Sequence, residues 1–490
     1  MLKKNYLYLG LGLFFIIISI WQIFATQKGL DVIHLHNTNP PVTIIFPSDT
    51  DPASRPTVLI AHGFAGSSIL MRGIALTLAH AGYTTISWDF QGHGENPHRM
   101  DASSRSSDLL MDAESALAAA EAIGRIDANR IAVLGHSMGS GIALSYGMTH
   151  PDTATTIVIS PVNQAITPVL PHNLLIMAGS LEPQFTDNAE QVLALGGGQG
   201  GEIAKGTARK LVIIPNVEHI SILFSSKAQL TARSWLDDTF GAQPGARNYH
   251  DRRIIWFGLG ISGFILFANG CISLISHPGQ TKLNTKPLRI RILALLIGGL
   301  VASISLWLVS VGGVRINQIL GLLVGGYLIV WFGVAGIISL LILRPDFSIP
   351  SRKELTIGLI AFTSLWLGVG LLGNFIWLPW LLIPNRLLLW VPSAIFLLPW
   401  FYTIGYVTKN TKPTGLLGWW LYQIITILIC LFLAITINPE LGFLYIILPL
   451  IPVMIGLHML VVSSKHGIWA YASSGAMFTA WIILAVFPLQ

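Results

Sequence analysis

The stretch VLGHSMGSG, Val133 to Gly141, sets one serine between two glycines with a histidine just before it. It fits the pattern G-x-S-x-G at residues 135–139. RIAVL before it reads as a strand that ends at Gly135, and SMGSGIALSYGMTH opens as a helix. So tight a strand-to-helix turn forces the serine into a strained backbone conformation and lifts its hydroxyl clear of the sheet. Glycines at 135 and 139 relieve the crowding that the turn creates. Ser137 is therefore either a nucleophile on a sharp elbow or a packing serine in a glycine-rich loop, and the surrounding chain decides between them.

Outward from this stretch, apolar runs alternate with amphipathic ones. VIHLH and VTIIF flank NTNPP as a hairpin, followed by TVLIAHG, YTTISWDF, RIAVLGHS, TTIVISP, NLLIMAG and KLVIIPN. Most of these are continuous apolar runs rich in β-branched residues, the pattern of parallel strands buried on both faces. Helical patterns lie between them at Ser68–Ala81, Ser104–Ile123, Met138–Thr149 and Ser221–Phe240. Such alternation predicts an α/β domain with a mostly parallel, eight-stranded sheet. The glycine run Gly196–Gly201 reads as a mobile surface loop.

A serine hydroxyl is a weak nucleophile and needs a base. His219 follows the last strand, KLVIIPNVEH, and precedes the last helix, at the sheet edge where Ser137 also emerges. His62, His93, His136 and His150 each have another place: a donor loop, a turn, a flank facing away from the serine, and a helix end before Pro151. The base needs a carboxylate to fix its tautomer. SLEP, after NLLIMAG, offers Glu182, with Asp187 as the alternative acid; Glu218, beside the histidine, is expected to point elsewhere. An oxyanion needs fixed N–H donors. HGFAGS after the strand TVLIA supplies the backbone N–H of Phe64, and the helix start supplies that of Met138. Asp89 and the glycines of DFQGHGEN are expected to shape a turn rather than bind substrate.

HGFAGS, GYTTISWDFQGHGEN and VLGHSMGSG, in that order and spacing, make residues 30–240 resemble the α/β-hydrolase superfamily, especially its esterase, monoacylglycerol-lipase and dienelactone-hydrolase-like branches. The resemblance implies Ser137 as nucleophile, Glu182 as acid, His219 as base, and Phe64 and Met138 as oxyanion donors. This sequence departs from the family in two places. The acid is usually aspartate, and a helical lid often follows the sixth strand, where here only Pro161 to His172 intervenes. The site is thus expected to be open or covered from outside the domain.

The chain as a whole has 490 residues, of which 52% are hydrophobic and only 11% charged. Soluble domains carry roughly a quarter charged residues, so much of this chain faces something other than water. Its net charge of +6 comes from lysines and arginines scattered between apolar runs. No basic helix or aromatic-interleaved basic face occurs, which excludes nucleic-acid binding. Two cysteines, Cys271 and Cys430, build neither a disulfide framework nor a metal site.

Residues 6–25 form an apolar run behind Lys3 and Lys4, long enough to cross a bilayer, and Ile23, Phe24 and Ala25 fit a cleavage site poorly. Residues 1–26 therefore read as an uncleaved signal anchor, residues 27–252 as the hydrolase domain, and residues 253–490 as an all-α transmembrane bundle of about eight helices in which no family is recognised. Its apolar runs fall at 254–276, 292–313, 317–343, 355–382, 387–407, 416–437, 441–463 and 467–488, making nine spans with the anchor.

Lysine and arginine accumulate in cytoplasmic loops. With Lys3 and Lys4 inside, the inside loops hold Lys282, Lys286, Arg289 and Arg291, then Arg344, Arg352 and Lys353, then Lys409 and Lys412, and finally Lys465. Outside lie Arg315 and Arg386, with Arg252 and Arg253 at the exit of the domain. This bias places the hydrolase domain and the C-terminus outside the cytoplasm of a multi-pass protein of the cell membrane. Asn374, Gln423 and His458 are the polar exceptions within the spans, too few for an ion-coupled relay.

The sequence thus points to a membrane-bound serine hydrolase acting on a small-molecule or lipid ester, with the bilayer as its other partner and with no metal or organic cofactor. Two alternatives remain at this level: an acyltransferase using the same acyl-enzyme, and a non-catalytic transport or sensing protein whose hydrolase-like domain binds a ligand.

Overall fold

The computed structural model describes residues 2–49, 51–101, 105–124, 126–275 and 285–490. Ser104 and Lys282, used in the sequence reading, lie outside the described residues. Eight strands form one sheet: β1 (Leu30–Leu35), β2 (Val42–Pro47), β3 (Pro56–Ala61), β4 (Thr84–Trp88), β5 (Asp127–His136), β6 (Thr155–Ile159), β7 (Leu174–Gly179) and β8 (Arg209–Ile214). Their spatial order is β1-β2-β4-β3-β5-β6-β7-β8. β1 pairs antiparallel with β2, as does β2 with β4, and every later pair is parallel.

The continuous apolar strands are buried on both faces. In β3, Val58 and Ile60 join one core layer while Leu59 and Ala61 join the other. With α1 the N-terminal helix (Leu2–Ala25), α2 (Arg72–His80) and α6 (Ser226–Phe240) cover the first layer, whereas α3 (Arg105–Ala122), α4 (Met138–Thr149) and α5 (Pro183–Leu195) cover the second. The expected helix at Ser221–Phe240 is divided: Ser221–Phe224 is a 3-10 turn, and Ser225 then caps α6 through the N–H of Ala228. Nor is the glycine run a free loop, because Gly200 and Arg209 exchange backbone hydrogen bonds of 3.0 and 2.7 Å.

Among the described residues, eight helices are long and apolar enough to cross a membrane. After α1 they are α7 (Arg253–Ile275), α8 (Leu288–Val311), α9 (Gly325–Leu343), α10 (Arg352–Leu365, continuing through a wider turn to Phe375), α11 (Pro384–Thr408), α12 (Pro413–Ile437) and, at the end of the chain, α15 (Ile468–Val486). The expected span at 441–463 is broken into α13 (Leu444–Ile447) and α14 (Leu450–Val461). Pro449 sits at the break, and a proline inside a helix removes a hydrogen bond and clashes with the preceding turn. The broken stretch still carries the chain across the bundle. It starts at Asn438, bonded to Ser310 near the end of α8, and ends at Ser464, bonded to Thr408 and Lys409 at the far end of α11.

The sheet domain and the C-terminal residues lie at the same end of this bundle. Leu489 donates to the carbonyl of Gly92 (2.8 Å) and accepts from the N–H of Met100 (3.0 Å). Arg386, at the start of α11 and 1% exposed, donates to the carbonyls of Gly92, Leu484 and Phe487. Arg253 is buried against Asp251 and reaches the carbonyl of Phe375. Both arginines, exceptions to the loop-charge bias, are therefore structural clamps between the two halves. At the opposite end, burial holds the His466 imidazole below its usual range, and Lys409, Lys465 and Lys353 add repulsion to its charged form.

Candidate active site

Ser137 is the residue between β5 and α4, with φ 55° and ψ −120°, a conformation that L residues rarely adopt. The turn is possible because its neighbours lack side chains. A Cβ on Gly135 would lie 2.0 Å from the carbonyl oxygen of Gly139, and one on Gly139 would lie 2.4 Å from that of Ala61. The elbow is pinned from both sides: the N–H of Ser137 bonds the carbonyl of Ile159 in β6, and the Ser140 hydroxyl bonds the carbonyl of Ser137.

The Ser137 hydroxyl lies 2.9 Å from Nε2 of His219, whose Nδ1 lies 2.8 Å from Oε2 of Glu182. Since a carboxylate only accepts, Nδ1 carries the proton and Nε2 is left to accept from the serine. Ser137, Glu182 and His219 are all buried, at 5%, 6% and 6% exposure. A charge that develops on the imidazole is thus screened little by water, and the carboxylate beside it counts for more.

Glu182 stands at the end of β7, and Pro183 begins α5 behind it. Its second oxygen, Oε1, accepts from the Ser160 hydroxyl and the Gly179 N–H, each at 2.6 Å. Asp187 lies exposed on α5 and is not part of this chain of bonds. Glu218 turns away as expected and accepts from the N–H groups of Ile220 and Ser221.

His136 does not face away from the site. Its Nε2 lies 2.8 Å from the carbonyl of His219, so it braces the backbone of the base. Burial, and then the proximity of His219, pushes its pKa well below the usual histidine value. Phe185 stacks on the His219 ring with centroids 4.0 Å apart. The roles of Ser160, His136 and Phe185 were missed from the sequence. Ser160 was the most accessible of these, since SP ends β6 at the same sheet edge as Glu182.

Gly63 sits against the elbow, where a Cβ would be 3.1 Å from that of Ser137, so Phe64 enters the site next to the hydroxyl. Met138 is the first residue of α4, where N–H groups point out of the helix end. His62 underlies this loop: its Nε2 accepts from the N–H of Phe90 and its Nδ1 donates to the carbonyl of Gly63. Asp89 accepts from the N–H groups of Ser68 and Glu95 and so shapes the turn, as the sequence predicts.

A pocket of about 340 Å³ opens over Ser137, walled by Met138, Val162 and Phe185 and, from the membrane half, by Phe443 and Ile446. Pro161 to Asn173 contributes no lid helix. The cover comes from the bundle. Among the described residues, no cluster of three or more His, Cys, Asp or Glu side chains could hold a metal ion.

Residues 52–192 match the family described as serine aminopeptidase, S33. This domain has the α/β-hydrolase fold. The monoacylglycerol lipase of Mycolicibacterium smegmatis is 32% identical over 116 residues, which cover 24% of this chain and 40% of that protein. An uncharacterized protein of Mycobacterium tuberculosis is 26% identical over 187 residues, covering 35% of this chain and 65% of its own length. The chain thus spans less than two thirds of either relative. A bacterial heroin esterase of known structure aligns with a TM-score of 0.34 and 14% identity, over 45% of this chain and 86% of that one. The family match falls within the α/β domain.

Proposed function

We propose that this chain is a membrane-bound serine hydrolase that cleaves a carboxylic ester through an acyl-enzyme on Ser137. The observation that carries this reading is the unbroken series Glu182–His219–Ser137, with links of 2.8 and 2.9 Å. In the first half-reaction, Nε2 of His219 takes the Ser137 proton as Oγ bonds to the substrate carbonyl carbon. The carbonyl oxygen becomes an oxyanion held by the N–H groups of Phe64 and Met138. The intermediate collapses, His219 gives its proton to the departing alkoxide, and the alcohol leaves. Water, deprotonated by His219, then attacks the acyl-serine and releases the carboxylic acid and the restored hydroxyl. Glu182 stabilises the imidazolium formed in each half.

Residues 1–26 serve as anchor, residues 27–252 as the catalytic domain on the extracytoplasmic side of the cell membrane, and residues 253–490 as the membrane domain. The distribution of lysines and the shared end of the hydrolase domain and C-terminus support this orientation.

A fluorophosphonate probe tests the chemistry. It should label the purified full-length protein and fail to label Ser137→Ala, and an unlabelled wild type would sink the reading. A phosphatase reporter fused after Gln490 tests the orientation, since that enzyme is active only outside the cytoplasm, and an expressed but inactive fusion would overturn it.

A further inference from the structure

The short helix α13 is walled by empty space on two sides. Phe443, just before it, and Ile446 face the catalytic pocket. Ile447, with Leu450 and Ile451 beyond the Pro449 break, faces a second cavity, of about 110 Å³, inside the bundle. The far walls of that cavity come from Leu328 of α9, Trp400 of α11, Ile427 of α12, Met454 of α14 and Ile483 of α15. Two of its polar neighbours are engaged elsewhere: His458 bonds the Ser474 hydroxyl, and Gln423 donates to the carbonyl of Trp419.

A cavity with such walls does not hold ordered water, which needs several polar partners, but does admit an apolar guest. The catalytic pocket has the complementary need. An ester carbonyl at Ser137 carries an acyl tail, and the roof above it is Phe443 and Ile446 of the membrane half.

We infer that the bundle cavity is the acyl-chain site of the enzyme, so that the substrate is a lipid ester whose carbonyl sits at Ser137 and whose tail passes α13 into the membrane domain. The inference rests on the hydrolase reading and names its substrate class. It also gives the membrane helices a task, since a tail drawn from the bilayer stays in apolar surroundings throughout. Each methylene buried there contributes about fourfold to kcat/KM, so longer tails are favoured over acetate.

The test is a series of p-nitrophenyl esters, from acetate to palmitate, turned over by the full-length protein in detergent. Wild type should favour decanoate over acetate by at least tenfold in kcat/KM. Met454→Trp and Ile483→Trp each fill the cavity from a different helix and should lower that ratio at least tenfold, whereas Met454→Ala should move the optimum to longer chains. A ratio and an optimum unaltered in these variants would overturn the acyl site while leaving the hydrolase intact. Absence of Ser137-dependent turnover of any ester, acetate included, would instead defeat the hydrolase reading on which the site depends.

Discussion

Phe64, the residue whose N–H faces the reacting oxygen in the proposed mechanism, stacks on Phe443 of the membrane half, with ring centroids 4.1 Å apart and planes inclined by 29°. The two residues are far apart in the chain and belong to different layers of the molecule. Phe64 also meets His93 edge-on, and His93 belongs to the turn whose Gly92 carbonyl is held by Leu489 and Arg386. The loop that carries the proposed oxyanion donor is therefore set from below by the sheet and from above by the bundle.

It follows that Phe443 positions the proposed oxyanion donor. A stacked aromatic pair contributes about 0.5–1.5 kcal/mol beyond the area it buries, and losing a well-placed oxyanion donor altogether costs about 100- to 1000-fold in rate. Phe443→Ala should therefore lower kcat on p-nitrophenyl acetate about tenfold, between no effect and that full loss, while Phe443→Tyr, which keeps the ring, should stay close to wild type. Steady-state kinetics on acetate checks this, because so short a tail does not depend on the bundle cavity. Equal kcat in wild type and Phe443→Ala would refute the positioning role.

Ser160 holds the carboxylate that holds the base. Its hydroxyl lies 2.6 Å from Oε1 of Glu182, and its backbone is kept at φ 48° to put it there. A hydrogen bond to a charged group contributes about 1.5–3 kcal/mol, which corresponds to about 10- to 100-fold in rate if it is felt in the transition state. The Gly179 N–H remains as a second donor in Ser160→Ala, so the lower end applies. That variant should lose about tenfold in kcat with little change in KM, and its rate of fluorophosphonate labelling should fall in step. Slower turnover with an unchanged labelling rate would place the defect outside the Ser137–His219–Glu182 series.

Local pattern made the catalytic framework legible. The helix after the elbow runs Met138–Thr149 as the sequence predicts, because a glycine-flanked serine after an apolar strand leaves few backbone solutions. Glu182 and His219 were singled out for a similar reason: each follows a strand at the one edge where a parallel sheet exposes its carboxyl ends. What escaped were features that depend on distant partners. α5 was not anticipated, although Glu182-Pro183 carries the signal of a proline in the first helical turn. α2 begins at Arg72 rather than Ser68, because 67–71 is spent in successive tight turns against the Asp89 carboxylate. The broken span at 441–463 reads as continuous by hydropathy alone, since Pro449 and Pro452 hardly lower it. The clamp of Arg386 and Leu489 on Gly92 has no local signature at all.

His136 makes the pH dependence of stability a test of the site's architecture. Its ring is 1% exposed, and burial holds its pKa well below the 6.5 of an unfolded histidine. A histidine depressed in this way takes up its proton more readily in the unfolded chain. Its contribution is therefore present above pH 6.5 and is lost as pH falls below that value, at up to about 1.4 kcal/mol per pH unit. His62 is lowered by burial in the same direction, whereas burial raises Asp112 to about 6, so that Asp112 acts oppositely and favours the fold at low pH. Comparing wild type with His136→Gln cancels both, because neither group is altered. Glutamine can still donate to the carbonyl of His219 but has no proton to gain. Between pH 7.5 and 5.5 the melting temperature of wild type should fall more than that of His136→Gln, by about 3–6 °C for a domain of this size. Parallel melting curves at the two pH values would mean that His136 already shares a proton in the folded state, and that the brace beneath His219 is not the neutral imidazole described above.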